Sequence, residues 1–258
     1  MTDAKTESHT RFSQLVTNYV HSAVHGDDPA LQRLVGLTQP QHDWHVLDVA
    51  TGGGHTALAF APHVADVIAS DIGEKMLNAA REHHAMQGVT NIIYATVDSE
   101  HLAFADGSFD LVTCRYAAHH FPDVFRFFQE MARVLKPGGI FALHDHLLPD
   151  DERAARYIDS FERLRDPSHF RAYAEVEWRG LLLDVGMIVE HVEPHEMKAD
   201  FVSWVERQKR PPEVRERLEI MLIQAPQAVA EWLRPQCAGT PDASFVHRNI
   251  IMTGRKLG

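Results

Sequence analysis

The 258-residue chain is short of cysteine, with two, and short of positive charge, with 25 Lys and Arg against 36 Asp and Glu. Cys114 and Cys237 make no disulfide framework and suit a reducing compartment. Cys114 stands inside the apolar run FDLVTC and reads as a small buried side chain. A net charge of −11 removes the broad basic footprint that nucleic acid requires. No apolar run approaches the roughly 20 residues that span a bilayer. The first residues, MTDAKTESHTRF, hold no apolar signal core. Repeats and low-complexity tracts are missing too. The expectation is a cytoplasmic protein with no nucleic-acid partner and no stable membrane insertion.

What remains is an ordinary globular composition, 45% hydrophobic and 24% charged, enough for one large α/β domain over 1–258. Residues 1–40 read as N-terminal helices interrupted by HGDDP, where Asp28-Pro29 makes a good helix start. Residues 41–148 alternate strand and helix, the pattern of a parallel sheet with crossover helices. Leu148-Pro149-Asp150-Asp151 marks a break before the 149–258 part. Helices are expected there near 151–165 and 174–185, then a strand near 187–196. A helical insertion at about 200–235 follows, interrupted by Pro211-Pro212 and Pro226, and the strand SFVHRNIIMTG comes last.

The most informative stretch is VLDVATGGGHTALAF, Val46 to Phe60. A buried strand carries Asp48 near its end, and Gly52, Gly53 and Gly54 then open a helix, leaving backbone bare for a ligand. The spacing is not the G-x-G-x-x-G of dinucleotide sites, and no Lys-Ser/Thr follows to make a phosphate loop. A second strand ends at Asp71, 23 residues after Asp48, where a carboxylate can accept from both hydroxyls of a ribose. Asp71 also suits a helix N-cap. Asp98 and Ser99 follow a third strand, NIIYATV. FDLVTC makes a fourth, and VLKPGGIFALHDH supplies a helix end, a Pro-Gly-Gly turn and a fifth strand.

In this order the features resemble class I S-adenosylmethionine-dependent methyltransferases, strongly over about Val46 to Leu148. The family motif D-x-G-x-G-x-G has its first glycine replaced here by Ala50. The overall pattern is most similar to the ubiquinone/menaquinone C-methyltransferase group and its small-molecule methyltransferase relatives. The resemblance implies a Rossmann-like doubly wound α/β fold: a mostly parallel seven-stranded sheet with an antiparallel last strand and a helical cap. It implies S-adenosyl-L-methionine as cofactor and S-adenosyl-L-homocysteine as product. Tyr19, Asp48, Ala50, Thr51, Gly52, Gly53, Gly54, Asp71, Ile72, Met76, Asp98, Ser99 and Arg115 are the residues expected at that cofactor. Asp71 would hold the ribose, and Asp98 with Ser99 the adenine edge.

Methyl transfer needs little beyond alignment and exclusion of water, with a base where the acceptor is an oxygen or nitrogen. His119 and His120, just after the fourth strand, stand where such a base belongs, and Asp145 after the fifth strand is its expected partner. His144 and His146 alternate on one strand face, but no third ligand stands at a diagnostic spacing, and no metal is expected. Arg165 and His169 in RLRDPSH form a further polar cluster, read as a helix-ending turn or as a contact for a polar substrate group. In the 200–235 segment Phe201, Trp204, Leu218, Met221, Leu222 and Trp232 offer apolar surface at helical spacing. They suit packing onto the sheet edge, or a lid over an apolar pocket with Tyr19 and His25 on its other wall.

The expected function is methyl transfer to a small, partly apolar acceptor. CRYAAHHF lacks the N/D-P-P-Y/W of base N-methylating enzymes, and Cys114-Arg115 lacks the Pro-Cys of cytosine C5 enzymes. The alternatives are a quinol-ring C-methyltransferase, a nicotinamide-dependent oxidoreductase, or a catalytically silent S-adenosylmethionine-binding protein. The residues leave the acceptor, the methylated atom and the oligomeric state open.

Overall fold

Strand β1 (His45–Val49) is buried on both faces after its first residue, as a strand covered by helices on either side must be. Its alternate side chains enter two different cores. Val46 joins Leu34, Phe60, Val67 and Leu111 on one face of the sheet, and Leu47 and Val49 join Val112, Phe127, Phe128 and Trp178 on the other. A computed structural model describes residues 5, 6, 10, 11 and 28–258. The expected helical segment before Asp28 therefore lies, apart from residues 5, 6, 10 and 11, outside the described residues, as do Tyr19 and His25.

The elements run α1 (Pro29–Thr38), β1, α2 (His55–Phe60), β2 (Asp66–Asp71), α3 (Glu74–Met86), β3 (Ile92–Thr96), β4 (Phe109–Arg115) and α4 (Val124–Val134). Then come β5 (Leu135–Leu148), α5 (Glu152–Arg165), the short β6 (Tyr173–Ala174), α6 (Glu175–Asp184) and β7 (Met187–Asp200). The chain ends with α7 (Phe201–Glu206), α8 (Pro212–Ile223), α9 (Gln227–Leu233) and β8 (Ser244–Lys256). Asp28 caps α1 by accepting from the Ala30 N–H at 2.9 Å, with Pro29 in the first turn.

The sheet order is β3-β2-β1-β4-β5-β8-β7. The first five strands in that order pair in parallel, while β8 runs antiparallel between β5 and β7. This is the expected mostly parallel α/β sheet. It has eight strands rather than seven, because two-residue β6 adds to the end of β5. Strand order reverses between β1 and β4, so the crevice beyond their carboxyl ends is where a ligand site belongs. The expected Pro-Gly-Gly turn is an irregularity inside β5: Leu135 pairs with Phe109 and Ile140 with Leu111, with Gly138 at φ +79° between them. Among the described residues no helix is long and apolar enough to cross a membrane.

Helices α7 to α9 lie between the two long strands β7 and β8 and bury their own apolar stripe. Phe201, Trp204, Leu218 and Leu222 share a core with Phe161 of α5 and Phe245 of β8. The Trp204 ring stacks on Phe161 at 4.9 Å and meets Phe245 edge-on at 5.0 Å. Arg165 closes this core, its guanidinium 4.4 Å from the Trp204 ring and its Nε–H donating to the Trp204 carbonyl. The apolar spacing of the insertion is thus used in packing. Trp204→Ala is expected to destabilise the protein by about 3–5 kcal/mol, read as a lowered midpoint in urea unfolding; a loss below 1 kcal/mol would show that the insertion contributes little to the fold.

Candidate active site

The crevice is organised by Asp48, near the end of β1. Its carboxylate, 1% exposed, accepts from the Thr51 hydroxyl at 2.6 Å and from the Thr113 hydroxyl of β4 at 2.8 Å. Burial pushes its pKa up to about 6, against the pull of those two hydroxyls. The chain then leaves β1 through a left-handed run: Ala50 at φ +53°, Gly52 at +54° and Gly54 at +82°. A Cβ on Gly52 would meet nothing within 4 Å, so the bare backbone faces open space. A Cβ on Gly54 would lie 2.3 Å from Nε2 of His84, a ring that bridges the Gly54 carbonyl (3.0 Å) and the Tyr94 hydroxyl (2.8 Å). Burial lowers the His84 pKa to about 4, so the ring is neutral at pH 7. Its Nε2–H donates to Gly54 while Nδ1 accepts from Tyr94.

Asp71 ends β2 and does not cap α3. Its carboxylate accepts from the Gly52 N–H at 3.0 Å and from the Gly73 N–H at 2.8 Å, bridging the glycine loop to the next strand end. Helix α2 is only six residues long, so the bare loop backbone, more than a helix dipole, shapes this wall.

These groups border a cavity with about 1020 Å³ of space, part of it open to solvent. Of the expected cofactor residues, Ala50, Thr51, Gly52, Gly53, Asp71, Ile72, Met76, Asp98, Ser99 and Arg115 line it. Asp48 and Gly54 support the lining from behind. Arg115 is paired with Asp28 at 2.7 Å, both side chains nearly buried. Tyr116 follows it at φ +53°, a second non-glycine residue in the left-handed region at the cavity.

Three features were not visible in the sequence. Lys5 lines the cavity and binds both oxygens of Asp98, at 2.8 and 2.7 Å, and also pairs with Glu100. The Asp98 carboxylate is thus held by a residue 93 positions away, which no local motif could announce. Tyr116, Ala117, Phe121 and Pro122 also line the cavity, and their only signal was their position just after β4. None of the lining residues comes from 200–235.

The candidate bases separate. His120 lines the cavity, and its Nδ1–H donates to the Ser168 carbonyl at 2.9 Å, which leaves Nε2 as the basic atom. Burial lowers its pKa. His119 and Asp145 do not reach the cavity. The turn Ala118–His120 points the His119 ring inward, where its Nδ1 meets Asp145 at 2.5 Å. Asp145 also accepts from the backbone N–H groups of Ala117, Ala118 and His146, and burial raises its pKa to about 6. His144 and His146 do not act as a pair. The His144 ring packs against Tyr116 and His195, whereas His146 stacks on His119 with ring centres 4.0 Å apart. His169 of the RLRDPSH stretch joins that second group and Arg165 does not, being engaged with Trp204.

The sequence profile of a methyltransferase domain matches residues 47–143. Over 198 residues the chain is 35% identical to the uncharacterized methyltransferase YcgJ of Bacillus subtilis, covering 77% of this chain and 78% of that protein. The crystal structure of YcgJ superposes with a TM-score of 0.85 at 32% identity, over 89% of this chain and 98% of that one. A shorter stretch of 121 residues is 35% identical to the ubiquinone/menaquinone biosynthesis C-methyltransferase UbiE of Pseudoalteromonas translucida, covering 45% of this chain and 48% of UbiE.

Ala50 holds a backbone conformation that costs an L-residue roughly 1–2 kcal/mol, offset for glycine by about 0.4–1 kcal/mol of unfolded-chain entropy. Ala50→Gly is therefore expected to raise stability by about 0.5–1 kcal/mol, measured by urea unfolding. A loss of stability would mean that the alanine methyl packs in a way that outweighs the strain.

Proposed function

Because this chain belongs to the class I methyltransferase family, we propose that it binds S-adenosyl-L-methionine in the cavity beyond β1 and β4. There it transfers the methyl group to a small, partly apolar acceptor and leaves S-adenosyl-L-homocysteine. The observation that carries this reading is the juxtaposition of Gly52, bare toward the cavity at φ +54°, with the Asp71 carboxylate that accepts its N–H. A ligand can approach the glycine backbone closely there, with an acid beside it for ribose hydroxyls. The glycine spacing argues against a nicotinamide cofactor.

When bound, the sulfonium supplies a methyl group already activated for in-line displacement. The residues of the chain then have three tasks. Asp71 orients the ribose, and Ser99 with Asp98 borders the adenine edge, where the base must share Asp98 with Lys5. Ile72, Met76 and Val97 exclude water from the cofactor, while Tyr116, Ala117 and Phe121 form an apolar wall for the acceptor. His120 holds its Nδ1 proton on Ser168 and so presents Nε2 to take a proton from an acceptor oxygen or nitrogen. A ring neutral at pH 7 suits that role, and burial lowers the His120 pKa in this direction. The two cysteines, one buried in β4 and one exposed, are both free, which supports a reducing, cytoplasmic setting.

Isothermal calorimetry is expected to give micromolar-range binding of S-adenosylhomocysteine and no binding of NADH; the reverse would overturn the assignment. Asp71→Ala should weaken S-adenosylhomocysteine binding by about 1–3 kcal/mol, the loss that follows when partners go unpaired. Unchanged affinity would remove Asp71 from the site.

A screen of small acceptors with methyl-labelled cofactor should yield product. With such an acceptor, His120→Ala should lower kcat while leaving cofactor affinity near the wild-type value. Equal turnover would end the role of His120.

A further inference from the structure

Behind the wall that carries His120 lies a cluster of imidazoles that methyl transfer does not use. We propose that His119, His146 and His169 bind a divalent transition-metal ion of the zinc class. The three come from separate elements: the turn after β4, strand β5 and the turn after α5. One nitrogen of each lies within 4.8 Å of one nitrogen of each of the others. The His119 and His146 rings are stacked 4.0 Å apart, and His169 stands 5.2 Å from His119 and 5.9 Å from His146.

Two of the rings are already oriented as metal ligands are. His119 donates its Nδ1–H to Asp145 at 2.5 Å, and His169 donates its Nε2–H to Asp159 at 2.7 Å. In each ring the opposite nitrogen is left with the lone pair, and a carboxylate behind an imidazole is the usual device for orienting a metal-bound histidine. The carboxylates are anchored in turn. Asp145 accepts three backbone N–H groups, and Asp159 is held by Arg163 at 2.8 Å and by the Ala172 N–H at 2.9 Å. The third ring supplies an independent sign: Nδ1 of His146 is buried and makes no hydrogen bond. A bound cation would satisfy that atom.

The donor set selects the ion. Three imidazole nitrogens suit zinc, cobalt, nickel or copper, whereas magnesium and calcium require oxygen. Three protein ligands with a further position for water or another donor is a recurrent zinc arrangement. With bonds of about 2.0–2.1 Å, tetrahedral ligand nitrogens stand roughly 3.3 Å apart and the ion lies in each ring plane, so binding requires the stacked His119 and His146 rings, 9° from parallel, to rotate as well as approach. His146 also belongs to a second group, with Glu162 and His247. Those two already pair with each other at 3.0 Å, which favours the three-histidine set. His120, whose ring is 4.0 Å from that of His119, lines the cavity, whereas none of the three proposed ligands does.

The test uses the tag-free 258-residue chain, stripped with a chelator, dialysed against Zn²⁺ and then against metal-free buffer. Elemental analysis should find one equivalent of zinc, with a raised Tm, and Co²⁺ in its place should give the visible ligand-field band of a tetrahedral nitrogen site. His169→Ala should weaken Zn²⁺ binding at least tenfold, by competition with a chromophoric chelator, and abolish the cobalt band. Asp159→Asn, which keeps all three rings, should weaken it by about 10–100-fold. Glu162→Gln and the exposed His63→Ala should bind as wild type does, and circular dichroism checks that each variant is folded. No zinc retained by the wild type, or equal affinity in folded His169→Ala or Asp159→Asn, would overturn the proposal. Loss of binding in Glu162→Gln but not in these two would do the same. Each readout is metal binding itself, so the outcome is separate from that of the methyltransferase reading.

Discussion

The buried carboxylate of Asp48 ties together the ends of the two strands between which the sheet changes direction. Thr51 belongs to the loop leaving β1 and Thr113 to β4, and both hydroxyls donate to this one group. The glycine loop can keep its left-handed backbone only while those strand ends stay in register. The cavity borders that loop. An isolated buried carboxylate would be expelled or protonated. Here two short hydroxyl bonds, and the nearby positive charge of Arg115, hold its pKa to about 6 despite full burial.

Further supports act on the loop from outside. His84, locked between Tyr94 and the Gly54 carbonyl, fills the volume that a side chain on Gly54 would need. Asp71 reaches across from β2 to the Gly52 N–H. Left-handed Ala50 and Tyr116 stand at the ends of adjacent parallel strands, so two of the strained backbone positions border the cavity. On the β5 side the same need to satisfy a buried carboxylate sets Asp145 against the His119 ring and the backbone N–H groups of Ala117, Ala118 and His146. The cavity wall and the histidine cluster thus share the turn after β4, from which His120 lines the cavity and His119 joins the cluster.

Much of this was legible in the chain. The apolar strand before Gly52–Gly54, Asp71 at the end of the second strand and Ser99 after the third all mark the cavity, because each is a local strand-end signal. The helix start at Asp28-Pro29 and the helices after the break were legible for the same reason. Less legible were β6, too short to carry a pattern, and the Lys136–Gly139 stretch, whose turn chemistry serves an irregularity within β5. For 200–235 the spacing of apolar residues promised burial, against the sheet edge or over a pocket, and the partners proved to include Phe161 of α5 and Phe245 of β8.

The sequence by itself determined the alternation of elements, the sheet class and the strand ends at which a ligand can meet bare backbone, since these follow from periodicity and from where glycine and aspartate fall. Only the tertiary structure decided which side chains meet across distance. Lys5 on Asp98, Arg115 on Asp28, and His119 beside His146 and His169 are pairings between segments far apart in the chain. The crossovers of the sheet bring them together, and neither composition nor spacing encodes that proximity.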